Sequence, residues 1–455
     1  MSRLRTETLR NILTATPQLG SDELCLRLGG INRSTFMRLI HSLGDQVISR
    51  GRARRTRYAL RRTLKDSETS FPLFSIDENG DGHELGVLDL VAPLGSALLF
   101  NAPFPWPLDP SMIDGWFDGL PYPVVDMRPQ GFLGRNFAKQ HAAQLGVSDD
   151  PERWSDNDIL RILVEWGYDQ PGNLILGEAA YRRYLEYRRS GNIEFLGDQA
   201  IETAYPALAE AALAYGVVGS SAGGEFPKFT AKRQSLAGKF DVIVKFSGAD
   251  DSPAVRRWSD LLICEHLALE TLRKFLAIPA AISTIHQFAG RTFLEVVRFD
   301  RVEEFGRSGV CTLGSLNAAL LGSGLVSWPK LALALRQAGW LATADVAAIE
   351  RIWWFGKLIA NSDMHEGNLA FLPGLKLAPI YDMLPMRYSP LRGGEVPLCT
   401  FAPDLPLPSE STAWSEAANA AQNFWQRCAD EPRISAGFRA VCAENAATLQ
   451  HLSEC

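Results

Sequence analysis

Nine residues near the middle of the chain, Lys239 to Ser247 (KFDVIVKFS), constrain its fold more than any other stretch. They alternate, so Phe240, Val242, Val244 and Phe246 take one face of an extended strand, and Asp241, Ile243, Lys245 and Ser247 take the other. The aromatic face needs an apolar cover, while the opposite face carries a lysine in mid-strand. A surface lysine that snorkels to water is one reading. The residues before the strand supply another. A short apolar run leads into Gly219-Ser220-Ser221-Ala222-Gly223-Gly224, where glycines let backbone N–H groups approach phosphate oxygens with no Cβ in the way. Alone, such a run is equally a plain hairpin turn. Beside it, Lys245 reads as a phosphate anchor.

The order of the next segments sharpens this. A helix (SDLLICEHLALETLRKFL) carries Glu265 and Glu270, either of which could pair with Lys245, and position favours Glu265. The strand RTFLEVVRFDR is apolar and ends in a charged turn, where a nucleotide-binding hinge would lie. A helix over about 344–359 then delivers the chain to NSDMHEGNLAF, Asn361 to Phe371. Pro373-Gly374 marks a turn that lets 368–372 and 375–380 pair as a hairpin, folding Asn368 and Asp382 toward each other. A protein kinase has its parts in this order. It needs an aspartate aimed at a hydroxyl, an asparagine on Mg²⁺ five residues later, and a second Mg²⁺ aspartate across a hairpin. Asp363, Asn368 and Asp382 occupy those places, and Mg²⁺ prefers such hard oxygen ligands. Asn361 and Asp363 as mere helix-end caps are the plain alternative.

Charge is unevenly spread. Residues 1–62 hold thirteen arginines, no lysine and four acids, a net of +9 within a chain of net charge −6, so the remainder carries −15. A basic head on an acidic body points to a polyanionic partner and to two separable parts. Residues 5–14 read as a helix. Ser21 reads as the N-cap of a second helix built on Leu24, Cys25 and Leu28 and ended by Gly29-Gly30. Asn32 caps a third helix, with Phe36, Leu39, Ile40 and Leu43 inward and Arg33, Ser34, Met37, Arg38 and His41 outward. VISRGRARRTRYAL comes next as a hairpin whose tip bears Arg52, Arg54, Arg55 and Arg57. This pattern predicts a winged helix-turn-helix that binds DNA through Arg33, Ser34, Arg38 and the tip arginines, although some winged helices contact protein instead.

Residues 63–75 read as a polar linker or the lead into a strand, and 76–215 as a mixed region with proline- and aromatic-rich loops. Arg128 and Arg135 fall there in a glycine-rich loop. No stretch approaches the ~18–20 uninterrupted apolar residues of a membrane span. MSRLRTETLRNIL lacks the apolar core of a secretory signal. Seven cysteines are scattered and never spaced CxxC, which argues against a disulfide framework or a zinc site and for a reducing compartment. The expectation is a cytoplasmic protein with no membrane partner.

NSDMHEGN resembles the N-x-D-x-H-x-x-N catalytic segment of HipA-type serine/threonine kinases, YDM their metal-binding aspartate segment, GSSAGGEFPK their phosphate loop and VVRFDR their hinge. A head fused in front resembles the HipH (YjjJ) subgroup. The resemblance implies an α+β chain: a winged helix-turn-helix over 1–65, a HipA-like N-terminal subdomain over 76–215, a mixed kinase N-lobe over 216–305 and a helical C-lobe over 306–455. It implies ATP and Mg²⁺ as cofactors and a growth-inhibiting toxin. Its partners would be DNA through residues 1–62, a protein substrate phosphorylated on Ser or Thr, and an antitoxin or inhibitor. It carries over Asp363 as base, Asn368 and Asp382 as metal ligands, Lys245 as phosphate anchor and His365 as a phosphate or structural contact. Val297, Phe299 and Asp300 become hinge and ribose contacts, and Ser220 a self-phosphorylation site with Ser221 as near alternative. Val297 departs from the glutamate common in the family, a change that a backbone contact to adenine survives. Two other functions stay open: a transcriptional regulator whose kinase-like body senses nucleotide, and a metal-dependent nuclease using Asp363, His365 and Asp382.

Overall fold

Leucine spacing builds the first part of the chain. The computed structural model describes residues 2–64, 68–191, 193–214, 226–236, 238–391 and 393–454, which divide into two compact units. The first takes in residues 1–77, 81–128 and 153–191. Its helices Ser2–Ala15, Ser21–Arg27 and Arg33–Leu43 bury Leu9, Leu13, Leu24, Phe36, Leu39 and Leu43 in one core with Tyr58 and Leu60. Asn32 caps the third helix as expected, its side chain accepting from the Thr35 N–H at 2.8 Å. Ser21 does not cap the second. Gly20 holds that position, because it is already extended by pairing with Arg57, so Ser21 becomes the first helical residue. Gly29 and Gly30 stop this helix at φ +86° and +73°, a conformation that favours glycine. The hairpin pairs Val47–Arg50 with Arg57–Leu60, and Leu19–Gly20 adds a third strand beyond it.

The head is not separable from the sheet beyond it. Arg50 and Arg61 both form ion pairs with the Asp89 carboxylate, the latter at 3.2 Å, and Asp89 is only 3% exposed. Ile48 and Ala59 of the hairpin share a buried cluster with Val91, Ala97 and Trp116. These last residues belong to or flank a five-stranded antiparallel sheet, ordered Trp116–Phe117, Ser96–Phe100, Gly82–Leu90, Ser70–Ile76, Leu174–Leu176. Burying apolar surface and arginine–carboxylate pairs across the junction makes one folding unit of head and sheet. The arginines expected to meet a polyanion, Arg33, Arg38, Arg52, Arg54, Arg55 and Arg57, remain exposed, as does Ser34; Arg55 also lies 3.2 Å from Asp114.

In the second unit, an antiparallel sheet runs Ser283–Phe288, Arg291–Val297, Gly238–Phe246, Lys228–Ser235. The alternation of Lys239–Ser247 is realised. Val242, Val244 and Phe246 pack with Phe229 and Phe293 against Ile201, Tyr205 and Ala209 of the helix Ile201–Ala214. The long helix Pro253–Phe275 carries Glu265 to Lys245. Helices Trp328–Gln337, Thr343–Leu358, Ser411–Asp430 and Ala436–Glu454 make up most of the rest. Arg135, expected in a loop, lies on the helix Gly131–Leu145, whose Gly134 packs where a Cβ would meet the Pro129 carbonyl at 2.7 Å. Close packing, not a flexible turn, explains that glycine.

Strand Arg291–Val297 is not purely apolar. Glu295, 5% exposed, accepts from the Tyr205 hydroxyl and from Arg233 Nε at 2.9 Å, and Arg233 reaches Asp198 at 2.8 Å. Burial pushes the Glu295 carboxyl up, but His286, 3.6 Å away, and then the Tyr205 and Arg233 hydrogen bonds outweigh it and hold the group below its ordinary 4.5. A carboxylate with a lowered pKa stabilises the fold above that range and loses its effect as pH falls through the lowered value. Glu295→Gln should therefore cost on the order of 2 kcal/mol near neutral pH. Thermal melting should show the gap to wild type closing below about pH 4. A gap that persists unchanged at lower pH overturns the assignment.

Candidate active site

Period-two alternation aims Lys245 away from the aromatic layer, and the site starts there. Its Nζ lies 2.7 and 2.8 Å from the two Glu265 oxygens and also bonds the Asp382 carboxylate. Lys245 is 6% exposed and Glu265 1%. Burial disfavours the lysine's charge, yet Asp382 and Glu265 outweigh it and hold its pKa above the ordinary range. Asp382 is likewise opposed by burial, but Lys245 and then Lys228 draw its pKa down. Glu265 keeps a raised pKa: burial dominates there, and Asp382 adds to it against Lys245. Glu270 is not an alternative partner, since its carboxylate is taken by Arg427 and lies 3.4 Å from Lys274.

Lys228 is a residue that local sequence pattern does not single out. It opens strand Lys228–Ser235 directly across from Lys245, and its charge acts on both Glu265 and Asp382. Its place at the end of GSSAGGEFPK, as the first residue of the strand that follows, is the signal that could have found it. The glycine run itself, Gly219, Ser220, Ser221, Ala222, Gly223 and Gly224, lies outside the described residues.

The segment between helix Thr343–Leu358 and strand Ala370–Leu372 is held by its asparagines. The buried Asn361 accepts from the Asp363 N–H at 3.0 Å and points its amide toward the Asp382 carbonyl at 3.5 Å. Asn368, 7% exposed, donates to the Asp363 carbonyl at 2.8 Å, which closes the loop on itself. Tyr381 donates to the Gly367 carbonyl at 2.7 Å and ties this loop to the residue before Asp382. His365 accepts from the Gly367 N–H at 3.1 Å, and its carbonyl accepts from Trp328 at 3.2 Å. Asp363 and His365 are exposed. The expected hairpin is shorter than its sequence range, pairing Ala370–Leu372 with Lys376–Leu377. Asp382 itself sits at φ +51°, a strained conformation for a residue with a Cβ, and this turns its carboxylate toward Lys245.

At the hinge, the Val297 N–H is bonded to the Ile282 carbonyl at 2.8 Å. The Asp300 carboxylate, 7% exposed, is gripped by Arg298 at 2.8 and 3.0 Å and by Arg301 at 2.7 Å. Phe299 faces Tyr381 with ring centroids 5.8 Å apart. Lys245, Glu265, Asp382, Asn361, Asp363 and Asn368 are thus brought together through direct bonds, whereas Asp300 is committed to its neighbouring arginines. Among the described residues, no group of three His, Cys, Asp or Glu side chains forms a metal cluster.

Comparison with solved structures gives the class. HipA of Shewanella oneidensis MR-1, solved in a toxin–antitoxin complex of HipA, HipB and operator DNA, superposes with a TM-score of 0.51 at 16% identity. The match covers 84% of this chain and 96% of that one, so the fold is a HipA-like kinase fold. The Helicobacter pylori proinflammatory kinase CtkA matches at a TM-score of 0.33 and 11% identity over 49% of this chain and 90% of its own. Family profiles narrow the class: residues 67–185 match the YjjJ-like toxin middle domain and 220–449 the HipA-like C-terminal domain. Toxin YjjJ of Escherichia coli (strain K12) is 38% identical over 453 residues, 98% of each chain. This chain belongs to the YjjJ-like family of HipA-like toxins.

The buried cluster makes a claim that needs no activity assay. Lys245→Met leaves two carboxylates facing each other with their nearest cation gone, and should destabilise the fold by about 3 kcal/mol or more. Adding Glu265→Gln should restore part of that loss in thermal melting. Additive losses in the double variant would refute the pairing.

Proposed function

We propose that this chain is an ATP-dependent serine/threonine protein kinase of HipA type, a growth-inhibiting toxin with its own DNA-binding head. The observation that carries the reading is the Lys245–Glu265–Asp382 cluster bonded to the segment that presents Asp363 and Asn368. A lysine held on a glutamate beside an acidic metal-ligand candidate is the arrangement phosphoryl transfer requires. A nuclease would have no use for it.

The donor set suits Mg·ATP. Asn368 and Asp382 offer the hard oxygens Mg²⁺ prefers, and Lys245 and Lys228 would meet phosphate charge, with Gly219–Gly224 as the backbone cradle. When bound, Mg·ATP supplies the phosphoryl group and neutralises charge during its transfer. Asp363, exposed on a loop fixed by Asn361 and Asn368, accepts the proton of the attacking Ser or Thr hydroxyl. Glu265 keeps Lys245 charged and aimed. His365 braces the loop through Gly367, and the backbone around Val297 and Phe299 receives the adenine. Ser220, or Ser221 beside it, is the self-phosphorylation site. A phosphate there brings ~−1.5 to −2 charges into the anion site and repels ATP.

Asp363→Asn should abolish transfer of labelled γ-phosphate while ATP affinity changes little, since the base acts in the transition state. Asp382→Asn should weaken both. Transfer by Asp363→Asn above a few per cent of wild type, or plasmid cleavage in the same buffer that Asp363→Asn abolishes, overturns the kinase reading.

The first three helices and three strands run in the element order of a winged helix-turn-helix, and the HipA neighbour was solved with operator DNA. The exposed Arg33, Arg38, Arg52, Arg54, Arg55 and Arg57, with Ser34, would meet phosphates and bases; an antitoxin or inhibitor is a further partner. Arg52→Ala and Arg54→Ala should each weaken DNA binding across sequences and lower the salt slope by about one. Fluorescence anisotropy over a salt series reads this directly. Salt-insensitive binding would count against the head as the DNA reader.

A further inference from the structure

The cluster depends on the rotation of one helix. In Pro253–Phe275, Glu265 reaches Lys245 only if the helix is held at one angle and one axial position, because each residue turns the helix by ~100° and advances it by ~1.5 Å. A slip of a single residue would carry the carboxylate off the lysine. The opposite face of this helix is gripped by the last two helices of the chain. Asp260 accepts from the Ser435 N–H at 2.7 Å and its hydroxyl at 2.6 Å, just before helix Ala436–Glu454. Cys264 Sγ lies 3.7 Å from Cys428 Sγ. Arg427 donates to the Thr271 hydroxyl at 3.1 Å, to the Leu267 carbonyl at 3.4 Å and to the Glu270 carboxylate. Positions 260, 264, 267 and 271 recur at the i, i+4, i+7, i+11 spacing of one helical stripe, and Glu265 stands about 130° round from its centre.

The geometry points to Arg427 as a positioning residue for the Lys245–Glu265 pair, acting through the helix it clamps. This rests on the kinase reading of the site. Of the three anchors, Arg427 is the one that reads both backbone and side chains of the helix, and it does so within two turns of Glu265. Asp260 and Ser435 fix the other end. Both of these anchors come from the same chain as Glu265.

The full-length protein carrying Arg427→Gln, Arg427→Lys, Glu265→Gln or Arg427→Gln with Glu265→Gln tests this. Arg427→Gln should lower kcat by about tenfold or more, as a small misplacement of a catalytic group does, with a smaller change in ATP affinity. Arg427→Lys, which keeps the charge on Glu270, should recover part of kcat. In the Glu265→Gln background, Arg427→Gln should cost almost nothing further, since the group it positions is already gone. Amide hydrogen exchange across 260–271 should quicken in Arg427→Gln even without nucleotide. Additive losses in the double variant, or unchanged exchange across 260–271, overturn the assignment. A lower melting temperature with kcat per folded molecule intact also overturns it, leaving Arg427 merely structural. Absence of ATP binding and transfer in the wild type strikes the kinase reading instead, and hydrogen exchange then still decides whether Arg427 sets the helix.

Discussion

One buried ammonium group organises the second unit. Lys245 cannot stay charged in so little water without anions, and Glu265 and Asp382 come from elements 20 and 137 residues away in sequence. To supply them, the sheet must present the lysine, the long helix must present the glutamate, and the segment after the short hairpin must turn back at an unfavourable φ. Each of these is a cost that the electrostatic gain offsets only when all three are in place. The cluster therefore couples strand, helix and loop. Loss of Lys245 leaves the buried Glu265 carboxylate without its cation, a charge that burial will not tolerate.

The same logic operates with different residues around Glu295. There the chain buries a carboxylate among Tyr205 and Arg233 on the sheet's other side. Two charged networks flank one strand pair, and the apolar layer of Val242, Val244, Phe246 and Phe293 lies among them. Apolar packing gives this sheet its bulk stability, while the paired charges specify which helix covers which face.

What could be read from the sequence was local. The alternation around Lys245 and the Asn32 cap each depend on neighbours a few residues away. Choices made by distant residues were hidden. Glu265 and Glu270 lie five apart, about 140° round the helix, and nothing nearby says which faces the lysine; Arg427 decides by taking Glu270. Ser21 looked like a cap because its hydroxyl suits one, but strand pairing at Gly20 started the helix first. Lys228 gains its meaning only through cross-strand register. Gly134 of Gly131–Leu145 resembled part of a loop and instead permits close packing.

Asp89 has a consequence for how the N-terminal part can be inherited. With Arg50 and Arg61 from the head closing on a carboxylate of the sheet, and Ile48 and Ala59 sharing its apolar cluster, the head is no detachable cassette. A recombination event that exchanged it would have to bring matching cations and matching apolar shape, or else strand a buried anion. Whatever the head contacts therefore meets it in fixed one-to-one stoichiometry with the rest of the polypeptide. A dosage imbalance between head and body, which can arise wherever they are made as separate chains, cannot arise here.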